Sequence, residues 1–174
     1  MKKIMTLVIC LTFAAVCFAQ ADPAVGYWLS IDENTNKVTA GWEIYIGNDG
    51  KLYGKILSLA DEPRGTIADQ CRERYDGFPL TGRVNQMQVA GPPWIFGLSK
   101  NERNGEWGGG KIIDPADGKI YNCRIIFRSA GTRAGSRTFN TDTLEMRGEI
   151  GLGIGRSQYW TKTTQQRASS LWPN

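Results

Sequence analysis

Histidine is absent from all 174 residues of the sequence. Its absence removes the commonest general base and the commonest zinc ligand together. Ser-His-Asp and Cys-His catalysis are excluded, and so is structural zinc on a set of four Cys and His ligands. Cysteine is scarce too: of four, Cys10 and Cys17 lie near the start, which leaves Cys71 and Cys123 for the body of the chain. A strong charge of one sign is also missing. With 21 basic and 17 acidic side chains, the formal charge is +4, and it falls to +2 if Lys2 and Lys3 are removed with a leader. No strongly basic nucleic-acid footprint remains at that balance. There is no internal repeat, no long helical stripe, and no apolar run of membrane-spanning length after the first 20 residues.

What is present begins with that first segment. Met1-Lys2-Lys3 is basic, Ile4 to Phe18 is uncharged, and Ala19-Gln20-Ala21 has the small-residue spacing of a cleavage site. This is the pattern of a secretory signal peptide, too short for a comfortable spanning helix. The expected organisation is a removed leader over 1–21, one domain over 22–164 and a mobile tail over 165–174. The expected location is the periplasm or the exterior. In an oxidising compartment, Cys71 and Cys123 are a natural disulfide pair, the alternative being two buried free thiols.

Glycine and turn residues punctuate short alternating runs. GYWLSI near Gly26, GWEIYI over 41–46, KLYGKILSL over 51–59 and KIYNCRIIFR over 119–128 each read as strands, as does TLEMRGEI over 143–150. Leu80–Val89, Trp94–Lys100, Gly105–Asp114 and Gln158–Thr163 complete the set. Asn48-Asp49-Gly50 and Asp114-Pro115-Ala116-Asp117-Gly118 are turns, in which Pro115 presets the bend and Gly118 accepts positive φ. In the second turn, Asp114 is expected to bond the turn backbone. Residues 60–78 form a long polar insertion holding Cys71. About eight or nine short strands joined by turns predict an all-β sandwich or barrel, and the short sequential hairpins favour a single up-and-down antiparallel barrel.

Residues 105–112, GEWGGGKI, come one hydroxyl short of a phosphate-binding loop. Such a loop needs a helix after it and a Ser or Thr for Mg²⁺. Here Ile112 follows the lysine, and a Pro-containing turn follows that. A bent barrel strand accounts for the glycines, and nucleotide binding does not.

Five blocks carry a resemblance: GYWLS near the start, IYIGNDGKLYGKI, FPLTG, EWGGGKIIDPADGKIYNC and MRGEIGLGIGRSQYW, in that order. Over Val25 to Thr163 the chain resembles the small exported bacterial proteins called domain of unknown function 2147. That resemblance implies export and a barrel similar to lipocalins and fatty-acid-binding proteins, but no activity. It also implies a plug at one end: Gly26 and Trp28 on the first strand, with Arg156 or Lys162 lying on the Trp face. Many members carry two cysteines three apart in the long loop. Arg74 stands where the second would be, so the resemblance leaves Cys123 as the partner of Cys71.

The candidate ligand-contacting residues are aromatic: Trp42, Tyr45, Tyr53, Trp94, Trp107, Tyr121 and Trp160. A small barrel holds either its own side chains or one small ligand, and these rings are the ones that would line such a cavity. Arg147, alternating with Glu145 and Glu149, belongs to a solvated salt-bridge face. Arg72 and Arg74 in the long loop are candidates to meet an anionic headgroup. No acidic spacing fits calcium, and no cofactor or metal is implied. The expected function is non-catalytic binding of a small apolar or amphipathic molecule. The alternative is an envelope interaction module with a packed barrel, acting on a protein partner through its loops.

Overall fold

The computed structural model describes residues 21–151 and 154–173; the expected leader, apart from Ala21, lies outside the described residues. Eight strands form a closed antiparallel barrel: β1 (Gly26–Ile31), β2 (Val38–Ile46), β3 (Leu52–Leu59), β4 (Ile95–Lys100), β5 (Trp107–Ile113), β6 (Ile120–Arg128), β9 (Thr143–Ile150) and β10 (Ile154–Thr163). A two-residue hairpin, β7 (Arg133–Ala134) and β8 (Arg137–Thr138), lies between β6 and β9. Around the barrel the order is β1-β10-β9-β6-β5-β4-β3-β2, so the first and last strands close the seam, with Trp28 opposite Lys162.

Alternation sets the two faces. Trp28, Ile44, Leu52, Leu98, Ile125, Leu144 and Trp160 are almost wholly buried. The opposite face of β6 and β9 carries ion pairs: Arg128 to Glu145 at 2.7 Å, Arg147 to Glu149 at 2.6 Å and Arg124 to Glu149 at 3.4 Å. A charged outer surface of this kind is costly in lipid. Exposed pairs contribute little stability, so the barrel rests on its interior.

The glycine-rich strand is the bent one. The β5–β6 register shifts between Trp107 and Gly110, and Gly109 takes φ +73°, a left-handed conformation that side chains disfavour. At Gly110 a Cβ would strike Phe96 O and the Leu98 side chain, so β4 and β5 need that residue bare.

Three expectations are corrected. Leu80–Val89 is not a strand: it holds one 3₁₀ turn (Val84–Gln86) and a single bridge, Ile67 to Gln88. The insertion and the segment after it, residues 60–89, fold together, burying Ala68, Cys71, Tyr75, Val84 and Val89. It is also pinned to the β5–β6 turn, where the Tyr75 hydroxyl donates to Gly118 O at 2.6 Å. Cys71 and Cys123 are free, buried thiols. Cys71 lies against the Gly118 turn, whereas Cys123 faces the interior on β6 opposite Gly110 and Gly148.

The segment after Thr164 is anchored, not loose. A short helix α1 (Gln165–Ala168) is capped by the Thr164 hydroxyl, which accepts from Arg167 N. It packs on the outside of β1 and β2. Ser58 Oγ donates to Ala168 O at 2.6 Å and accepts from Leu171 N at 3.1 Å. Gly41 leaves the space: a Cβ there would collide with the backbone of Ala168.

Candidate functional site

The two barrel ends differ. At one, the chain entering β1 crosses underneath: Trp28 Nε1 donates to Ala24 O at 2.9 Å, and Asp22 pairs with Lys100 at 2.9 Å. Lys162 Nζ lies 5.6 Å from the Trp28 ring centroid and 5.9 Å from that of Phe127. A cation over an aromatic face contributes about 0.5–2 kcal/mol. This end is plugged, and Lys162 is the cation on Trp28.

At the other end, the β1–β2 loop, the β5–β6 turn and the β9–β10 hairpin surround a cavity of about 780 Å³. Its wall includes Ile56, Leu59, Ile112, Ile113 and Met146, with more apolar than polar surface. Two stacked indoles, Trp42 and Trp160, form part of it, with ring centroids 4.7 Å apart. Their polar edges are satisfied within the barrel, so they present apolar surface. Trp42 Nε1 donates to Ser30 Oγ at 3.2 Å, and Trp160 Nε1 donates to Gln158 Oε1 at 3.0 Å. Ser30 Oγ also accepts from Ala40 N at 3.0 Å and lies 2.7 Å from Thr39 Oγ1.

The charged lining groups are Asp32, Asp114 and Arg156. Asp32 Oδ1 accepts from Thr35 N, Asn34 N and the Thr35 hydroxyl, and the bonds from Thr35 above all hold its pKa below the usual value. Asp114 Oδ1 accepts from Ala116 N at 3.0 Å within its turn. Crowding by neighbouring atoms pushes the Asp114 pKa up, although the residue as a whole is open to solvent. Arg156, with its side chain 59% exposed, lies 3.8 Å from Glu33. The Tyr121 phenol is pushed up too, chiefly by its own burial, then by the negative charge of Asp117, with Asp114 the smallest contributor.

Of the seven aromatic candidates, the cavity collects Trp42, Tyr121 and Trp160. Tyr45 and Tyr53 stack on each other at 5.7 Å on the outer face, with Lys55 over Tyr45. Alternation requires this, because Trp42 and Ile44 face inward on the same strand. Trp94 is buried beside the long insertion, with its Nε1 donating to Val89 O and Phe78 at 6.0 Å. Trp107 sits at the plugged end, where Nε1 donates to Asp22 Oδ1 at 3.3 Å. Arg156 is at the open mouth and does not touch Trp28. Arg147 is on the outer face, where it also meets Ser157 at 3.4 Å. Asp114, Pro115 and Gly118 lie in the β5–β6 turn, and Gly26 opens β1. Arg74 pairs with Asp76 at 3.3 Å in full exposure, and Arg72 Nε donates to Asp69 O.

Sequence inspection for aromatics missed Ser30, Met146, Gly148 and Gln158. The period of two carries that signal: Ser30 stands two residues after Trp28, and Gln158 two before Trp160. Gly148 follows Met146 on one face.

A closed eight-stranded meander with one plugged end and one open, apolar-walled end is a lipocalin-like barrel. The chain belongs to the bacterial family described as uncharacterized protein conserved in bacteria, domain of unknown function 2147, which matches residues 26–162. The fold is similar to that of protein HP1028 from the human pathogen Helicobacter pylori, described as belonging to the lipocalin family. That likeness has a TM-score of 0.61 and 19% identity, and covers 85% of this chain and 88% of that one. At such identity it shows the fold alone. No curated protein matches the sequence.

Proposed function

We propose that the protein is an exported carrier that binds one small apolar or amphipathic molecule reversibly, without catalysing a reaction on it. The observation that carries this is the cavity of about 780 Å³ with stacked Trp42 and Trp160 in its wall. Small-molecule sites span roughly 300–1,000 Å³ and combine apolar walls with a few polar groups. The basic, apolar and small-residue succession of the first 21 residues supports export.

Gly148 provides the test. It lines the cavity, and a Cβ there would meet nothing nearer than Tyr121 Cβ at 3.6 Å, an ordinary contact. Gly148→Leu therefore places a side chain in the ligand's space without disturbing the barrel. The expected result is an unchanged far-UV circular dichroism spectrum with binding of a neutral fluorescent naphthylamine probe weakened at least about tenfold, the loss of roughly 1.4 kcal/mol. Equal probe binding by the folded variant would overturn the cavity as the site.

A further inference from the structure

A ligand carboxylate would call for an unengaged cation at the site, and this cavity offers none among its described lining residues. Arg156 is the one basic side chain there, and it faces Glu33 at 3.8 Å. Its charge also acts on Asp32, so two carboxylates already share it. Arg137, the next guanidinium, stands 4.0 Å from the same Glu33 and stacks 3.8 Å over Tyr159, away from the lining. Lys119 is bound to Asp117 at 2.7 Å. Lys162 is on the Trp28 face at the plugged end.

The anionic side is less satisfied. Asp114 has one backbone donor on Oδ1, and Asp32 concentrates its three donors on Oδ1. In each, the second carboxylate oxygen has no hydrogen-bond donor among the described residues. Both groups line the cavity with Tyr121, whose ring adds an electron-rich surface for a cation. An anionic headgroup at this mouth would meet two carboxylates and a guanidinium already engaged. A cationic one would find complementary charge, with its apolar body against the paired indoles.

We propose that the ligand is a cationic amphiphile, an apolar body bearing an amine or quaternary ammonium group held at the mouth by Asp32 and Asp114. This rests on the cavity being the binding site, so the test separates the two. Decyltrimethylammonium, decanol and decanoate would compete, below their micellar concentrations and at low salt, against a neutral naphthylamine probe. Decyltrimethylammonium should bind about fivefold tighter than decanol, and decanol about fivefold tighter than decanoate. That is the factor supplied by one charge pair at roughly 4 Å in a water-like medium.

The double variant Asp32→Asn/Asp114→Asn keeps the side-chain carbonyls that accept the turn N–H groups. It should bind the probe and decanol as before while losing the preference for the cation. Decanoate binding as tightly as the ammonium compound, or the variant keeping the original order, would overturn the charge assignment with the cavity intact. Failure of every compound, the neutral probe included, would overturn the cavity as the site and the charge assignment with it.

Discussion

Gly41→Ala is a one-methyl change whose effect should reverse sign with the C-terminal segment. Gly41 sits where the β2–β3 register shifts, but its φ is not in the left-handed region, so alanine meets no backbone strain of that kind there. In the complete chain the new methyl occupies the space of the Ala168 backbone, and a backbone atom cannot rotate aside as a flexible side-chain end would. The tail must lift. Lifting it breaks the two Ser58 bonds to Ala168 and Leu171 and exposes the Ala168 side chain, which is fully buried. Two hydrogen bonds at about 1 kcal/mol each and one methyl at about 0.8 kcal/mol set an upper cost of roughly 3 kcal/mol. For a domain of this size, that lowers Tm by about 6–12 °C. In a chain ending at Thr164 the obstacle is gone. There alanine should stabilise by about 0.5–1 kcal/mol, the usual gain over glycine inside a strand. Thermal and urea unfolding of the four proteins, with and without the tail and the substitution, gives the coupling directly. Equal effects of Gly41→Ala in both backgrounds would refute the packing of the tail on β2.

Two further outcomes follow from buried groups. Native protein should show no rapid reaction of Cys71 or Cys123 with a thiol reagent at pH 8, because burial raises both thiol pKa values. In protein produced without residues 1–21, and so without Cys10 and Cys17, two thiols should react in denaturant without reductant, and fewer than two would contradict the free cysteines. Tyr75, pushed up to about 12 chiefly by burial, keeps its proton more firmly in the fold than in the unfolded chain, where tyrosine titrates near 10. Its contribution is complete below about pH 10 and is lost as pH rises through about 12. Urea midpoints at pH 9 and pH 11.5 should therefore fall further for the wild type than for Tyr75→Phe, and parallel falls would count against it.

Much of the barrel was legible because its strands alternate cleanly and its turns carry Asn-Asp-Gly and Asp-Pro-Ala-Asp-Gly. Leu80–Val89 misled because apolar residues there serve a folded insertion, where Val84 and Val89 are buried without strand pairing. The tail carries no long apolar stripe, and its anchor is a close approach between Gly41 and Ala168. No local pattern signals a contact between residues so distant in sequence. Similarly, ring chemistry alone placed seven aromatics in the cavity, whereas the alternation already visible in β2 sets Tyr45 opposite Trp42. The bend that carries Trp107 to the plugged end and the insertion that takes Trp94 are long-range properties.

The seam between β1 and β10 also orders events in time. Every other junction of the barrel joins segments nearer in sequence, but Trp28 finds its neighbour only at Lys162. A chain emerging from its amino end carries β1 with one open edge until the final strand arrives, and contacts of such separation form slowly. An unpaired edge is what other chains pair with. Holding the chain unfolded until Thr163 has emerged would therefore protect it from aggregation, and passage as an extended thread is compatible with a barrel that cannot shut early.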